Sequence, residues 1–188
     1  PAFLGFRPAH QRAFFIGRSC RRRTLKDVFK NFNAKAKPTA TMQTMQSVLQ
    51  NHINRIQEAA SRQKPLRLRG GGTKDFYGQA LQGDVLDTRD YHGILSYEPS
   101  ELVITVRAGT ALTEVESLLA RHGQCLPFEP PHFANDRAQA TVGGMVAAGL
   151  SGPARASIGS VRDFVLGVVM LNGRGELLTF GGQVMKNV

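Results

Sequence analysis

Tryptophan is absent and cysteine nearly so: Cys20 and Cys125 are the only two in 188 residues. They lie far apart and share no metal-ligand spacing, so neither a disulfide framework nor a zinc site is expected, and a reducing compartment fits best. No stretch approaches the roughly 20 apolar residues that a membrane span needs. Acidic residues are almost missing from residues 1–41, where ten Lys/Arg face only Asp27. Residues 42–188 carry fourteen Lys/Arg and thirteen Asp/Glu. The formal net charge of +10 therefore belongs to the N-terminal segment. A nearly neutral body argues against a nucleic-acid-binding protein.

What is present suits one ordinary domain. Apolar residues make up 41%, enough for a core, and twenty glycines suit a fold with close backbone approaches. Residues 1–41 begin with Pro1 and include Arg21-Arg22-Arg23. Three readings of this segment stay open: a transit peptide, a basic arm, or in-frame upstream sequence ahead of a start at Met42 or Met45. The expectation taken forward is a basic extension over 1–44, disordered or non-native, and a domain over 45–188.

From Met45 onward Val48, Leu49, Ile53, Ile56, Ala59 and Ala60 recur at helical spacing, and Pro65 stops the helix. A short strand is expected at Leu66–Arg69 and another around Val85-Leu86. Tyr97–Ala108 alternates as a single strand, and Thr110 is expected to cap a helix over Ala111–His122 that ends at Gly123. That succession suggests a βαβ-like unit. Leu126–Pro131 is stiff. Asp163–Asn172 reads as an apolar strand, and Asn172-Gly173 turns it into a hairpin with Glu176–Phe180. Gly167 inside that strand suggests something bulky against the backbone.

Two stretches point to chemistry. Gly70-Gly71-Gly72-Thr73-Lys74 follows a short strand, and three glycines cost too much backbone entropy to be strand or helix interior. They suit either a plain surface turn or a nest of N–H groups around phosphate. The spacing fits neither a Walker loop nor the Gly-x-Gly-x-x-Gly dinucleotide fingerprint. Ala140–Gly149 is dominated by small residues. It suits either a packing helix or a helix near Gly143 whose free N-terminal N–H groups face an anion.

Arg-Leu-Arg-Gly-Gly-Gly-Thr-Lys (67–74), Phe-Glu-Pro-Pro (128–131), Ala-Thr-Val-Gly-Gly-Met-Val-Ala-Ala-Gly (140–149) and Ser-Val-Arg-Asp-Phe-Val-Leu-Gly-Val (160–168) occur in this order. As an ordered set they resemble the FAD-binding domain of the vanillyl-alcohol-oxidase/para-cresol-methylhydroxylase superfamily over about residues 45–188. Within it the wording is similar to the FAD-binding subunits of bacterial glycolate oxidases. The resemblance implies an α+β fold of two α/β subdomains, C-terminally truncated, because the family continues into a substrate-binding cap. It implies that Gly70, Gly71, Gly72, Thr73 and Lys74 hold the pyrophosphate. Pro130, Thr141, Gly143 and Gly144 would close over the diphosphate and ribityl chain, with Gly149 in the same segment. Asp163 and the backbone from Val165 to Val168 would lie near the adenine end. Some relatives place a flavin-linked histidine after the glycines; Thr73-Lys74 stands there, so dissociable FAD is expected, and His122 and His132 are expected to be surface or packing residues. No catalytic residue is assigned.

The implied role is glycolate oxidation to glyoxylate with a second flavoprotein and an iron–sulfur subunit. The location would be cytoplasmic, with peripheral contact at the inner membrane left open. Another 2-hydroxy acid such as D-lactate, or a non-catalytic FAD-binding or assembly module, are the alternatives.

Overall fold

The computed structural model describes residues 12–16, 40–80, 82–135 and 138–182, with side chains from residue 45 onward. In chain order the elements are β1 (Arg12–Ile16), α1 (Ala40–Ser61), β2 (Leu66–Arg69), β3 (Asp84–Asp87), β4 (Ile94–Glu98), β5 (Val103–Arg107), α2 (Leu112–Arg121), α3 (Val142–Ala148), α4 (Arg155–Ile158), β6 (Gly167–Leu171) and β7 (Leu177–Gly181). A 3-10 turn at Val161–Phe164 precedes β6. The fold is α+β, built on two sheets: a five-stranded one in the order β4-β5-β1-β6-β7, and a two-stranded one of β2 and β3. No helix among the described residues is long and apolar enough to cross a membrane.

The smaller sheet is parallel, with Leu66 opposite Asp84 and Arg69 opposite Asp87. A parallel pair cannot be joined by a tight turn. The connection over residues 70–83 carries the glycine run, so the loop is pinned at both ends by the sheet. The apolar face read from α1 packs here: Ile56, Leu86 and Leu171 are buried, with Leu49, Ile53, Leu66 and Leu68 around them.

His52 is buried in the same α1 face, and burial is the largest influence, lowering its pKa below the ordinary 6.5. The backbone of Asp87 and the charges of Asp90 and Asp87 oppose this, while Arg55 adds to it. Neutral histidine is thus the form the fold favours. Its contribution is fully present above 6.5 and is lost as pH falls below that value, because the unfolded chain then binds the extra proton. Thermal unfolding should show a lower midpoint at about pH 5.5 than at about pH 7.5, and His52→Gln should flatten that slope.

The larger sheet is antiparallel throughout the pairs it records. Its core holds Ile104, Val106, Leu112, Val115, Leu119, Phe128, Ala140, Val142, Met145 and Val161. Several expectations change here. Tyr97–Ala108 is not one strand. Pro99 has no N–H to give to a ladder, and Leu102 takes φ +60, so residues 99–102 turn and split the segment into the β4–β5 hairpin. No βαβ-like unit is built on β5 and α2 among the described residues: α2 follows β5, but both recorded neighbours of β5 run antiparallel to it.

Thr110 does not cap α2, whose N-cap is Ala111. Its hydroxyl is buried and accepts from the Gly93 N–H at 2.9 Å. Gly123, at φ +65, does stop α2. The 172–176 turn forms as read, with Asn172 Oδ1 accepting from the Arg174 and Glu176 N–H groups and Gly175 at φ +74. Gly167 needs no ligand to explain it: a Cβ there would meet the Gly182 carbonyl oxygen at 2.6 Å.

The N-terminal expectation changes at one point. Arg12–Ile16, reading Arg-Ala-Phe-Phe-Ile, is a strand of the large sheet, paired antiparallel with β5 on one side and β6 on the other. Aromatic and β-branched residues suit that position. The triple arginine and Cys20 lie outside the described residues; Cys125 is exposed.

Candidate functional site

The glycine loop leaves β2 at Arg69 and crosses to the segment before α3. An ideal Cβ on Gly71 would stand 1.5 Å from the Gln139 carbonyl oxygen, and one on Gly70 would stand 2.6 Å from Thr141 Oγ1. The two glycine-rich segments, distant in sequence, therefore touch. Gly72 takes φ +74, and a Cβ on it would lie 2.4 Å from Arg69 Nη2, so the Arg69 side chain runs against the loop.

Asp75 braces the loop from its far end. Its carboxylate accepts from Arg69 Nε at 2.8 Å, and forms ion pairs with Arg69 Nη2 at 2.7 Å and Arg67 Nη2 at 3.0 Å. Alternation along β2 puts Arg67 and Arg69 on one face, which is why a single carboxylate reaches both. These three residues were missed in reading the chain; the Arg-x-Arg spacing before an acid was the available signal.

Among the described residues, no acceptor is recorded for the backbone N–H groups of residues 71–74. Arg67 Nε is buried and likewise has no partner there. Lys74 is half-buried, and burial lowers its pKa. Open N–H groups in a tight turn with cations beside them are what an anion of the diphosphate class requires. Thr73 is buried in the turn.

The α3 side differs from expectation. Thr141 is its N-cap, with Oγ1 accepting from the Gly144 N–H at 3.2 Å. The Val142 N–H donates to the Thr110 carbonyl at 2.9 Å and the Gly143 N–H to the Ala108 carbonyl at 2.8 Å. The first N–H groups of α3 are thus committed to the β5–α2 turn, and the helix does not offer them to an anion. Gly143 is buried because a Cβ would meet Ala108 Cβ at 2.8 Å. Gly149 is the left-handed C-cap at φ +64, with open space around it.

The remaining expected site residues lie elsewhere. Pro130 is half-buried beside Glu129, whose N–H donates to the Ser151 carbonyl. Asp163 is not on a strand but closes the 3-10 turn as a capping box with Ser160. The Ser160 N–H and hydroxyl donate to it at 2.7 and 2.9 Å and hold its carboxyl below the usual range. Val165 packs on the core, and Val168 sits in β6 opposite Ala13 and Phe180. No hydrogen bond among the described residues joins Asp163, Val165 or Val168 to residues 70–74. His132 pairs with Glu116 at 3.0 Å and His122 packs edge-on to Tyr97.

Most of the chain is similar to known proteins. The family model described as FAD binding domain matches residues 46–181. Glycolate oxidase subunit GlcE of Escherichia coli is 49% identical over 136 residues, which is 72% of this chain and 38% of that protein. A D-lactate dehydrogenase of Archaeoglobus fulgidus is 33% identical over 126 residues, 65% of this chain and 27% of the relative. A D-2-hydroxyglutarate dehydrogenase of Pseudomonas putida is 38% identical over 120 residues, 62% of this chain and 11% of the relative. The chain thus spans well under half the length of each. With the matched region covering most of the chain and both glycine segments, the chain belongs to the FAD-binding domain family.

Proposed function

We propose that this chain is the FAD-binding part of a 2-hydroxy-acid oxidoreductase of the glycolate oxidase type, acting on glycolate to give glyoxylate. The observation that carries the reading is the open N–H run at residues 71–74 braced by Arg67, Arg69 and Asp75, inside a region 49% identical to a glycolate oxidase subunit.

When bound, FAD supplies the two-electron acceptor for the substrate α-carbon. The residues here hold and orient it. The N–H groups of Gly71, Gly72, Thr73 and Lys74 donate to the diphosphate, and Lys74 offsets its charge. Gln139 and Thr141 fix the loop from behind. By the family match, Gly144, Gly149, Pro130, Asp163, Val165 and Val168 would complete the surface around FAD. With Thr73-Lys74 after the glycines, no side chain of this loop is suited to a covalent flavin bond, so FAD is dissociable. Assembly with a second flavoprotein and an iron–sulfur subunit, at a cytoplasmic site or peripheral to the membrane, belongs to the same proposal.

The chain purified with FAD should be yellow and should release all its flavin on acid precipitation. Flavin retained in the pellet would contradict dissociable binding, and a colourless chain that takes up no FAD would contradict the site. Relatives named for D-lactate and D-2-hydroxyglutarate favour a second reading, another 2-hydroxy acid as substrate. Anaerobic addition of glycolate, then D-lactate, to the FAD-loaded chain within its complex separates the two: the substrate is the acid that bleaches the flavin band.

A further inference from the structure

The five-stranded sheet ends in two open edges, and they are not alike. At one, β4 carries a bulge between Ile94 and Ser96 and the exposed Glu98, and both discourage a further strand. At the other, β7 has neither device. Its sequence, Leu-Leu-Thr-Phe-Gly, holds no charge and no proline, and its register with β6 runs without a shift from Leu177 to Gly181. Leu177 is 52% exposed and Phe180 53%, although alternation puts them on opposite faces of the strand. The ladder is open as well. The Asn172 N–H donates to the Glu176 carbonyl at 3.0 Å and the Gly182 N–H to the Leu166 carbonyl at 3.1 Å. Alternation along an antiparallel pair then gives the backbone of Leu178 and Phe180 to β6 and turns the N–H and C=O groups of Leu177 and Thr179 outward. Among the described residues, β7 pairs with β6 alone.

We infer that the outer edge of β7 is a self-association surface, where a second copy of this chain pairs β7 with β7 about a two-fold axis at Thr179. The residue order of the strand selects a second copy as the occupant. Antiparallel pairing centred on Thr179 sets Thr179 against itself, as a pair that exchanges both outward backbone bonds. It sets Leu178 against Phe180 of the second copy, twice by symmetry, so the exposed ring gains an apolar neighbour. It sets Leu177 against Gly181 of the second copy, where no side chain crowds it. Because the strand is uncharged, no like charges face one another across the axis. The axis closes the contact on itself, and the blunted β4 edge offers no second site for growth, so the product is a dimer and not a fibre.

Sedimentation of the full 188-residue chain over a concentration series tests this. The wild-type chain should pass from monomer to dimer. Thr179→Pro removes the central N–H, which faces away from β6, and should abolish the dimer wherever the wild type forms it. Thr179→Lys sets two like charges directly opposite and should weaken association about fivefold. An equimolar mixture of Thr179→Lys and Thr179→Glu should restore it as a heterodimer, which an unfolded variant could not do. A wild-type chain that stays monomeric up to about 1 mM would overturn the inference and leave the edge to a different chain. A dimer that forms as tightly in Thr179→Pro and Thr179→Lys as in the wild type would overturn it too, because the copies would then meet elsewhere. So would a mixture of the two charged variants that associates no better than either alone.

Discussion

Gly71→Ala is expected to cost the chain its FAD. The smallest side chain suffices, because the Cβ itself would lie 1.5 Å from the Gln139 carbonyl oxygen and 2.7 Å from the carbonyl carbon. No rotamer change relieves a clash with backbone. Either the glycine loop or residues 138–140 must move, and the loop cannot move far while Arg69 and Asp75 hold it. Forced overpacking of this kind costs about 3 kcal/mol. In a domain of this size that is roughly 10 °C of thermal midpoint. FAD affinity should fall at least about tenfold, since the N–H groups of residues 71–74 would no longer share one direction. Gly173→Ala is the control: it lies in the turn between β6 and β7, and nothing stands within 4 Å of its Cβ. It should bind FAD within a few-fold of the native chain, so equal losses in both variants would mean that the loop contact is not what matters.

The second large effect is expected at Gly143. Read from sequence, this glycine made room for a cofactor; in the fold it makes room for Ala108. Gly143→Val should therefore lower the thermal midpoint of the cofactor-free chain by several degrees, roughly what 1–3 kcal/mol of overpacking gives. Ala108→Gly, combined with Gly143→Ala, removes the Cβ that stands 2.8 Å away and should recover part of the alanine variant's loss. The Ala108 carbonyl oxygen at 3.0 Å remains, so recovery is incomplete. A Gly143→Val chain with unchanged cofactor-free stability and no FAD affinity would restore the ligand-facing role and refute the packing one.

These two glycines mark what the chain discloses by itself. Signals confined to a few residues were legible: the Leu49–Ile53–Ile56 face of α1, the Gly123 stop of α2, the asparagine turn at 172–176. Their physics is local hydrogen bonding and side-chain period. What separates Gly71 from Gly143 is a contact with a distant segment, and no local pattern carries that. The same holds for Tyr97–Ala108, where alternation continues through Pro99 and hides the turn that the sheet requires, and for Arg12–Ile16, whose strand forms only because β5 and β6 flank it. Asp163 was placed by motif order beside the cofactor, while its nearest demand is to cap its own turn. The FAD class itself came through by resemblance to a known family over four motifs in a fixed order; the glycine run alone left a plain turn and a phosphate nest equally open.

The central claim is that residues 71–74 donate their N–H groups to the FAD diphosphate. Amide resonances of the ¹⁵N-labelled chain, followed as FAD is added, test it residue by residue. The account predicts that Gly71, Gly72, Thr73 and Lys74 shift together and saturate with the flavin fluorescence, and that ADP shifts the same four. Saturable FAD binding that leaves these four amides in place would contradict it.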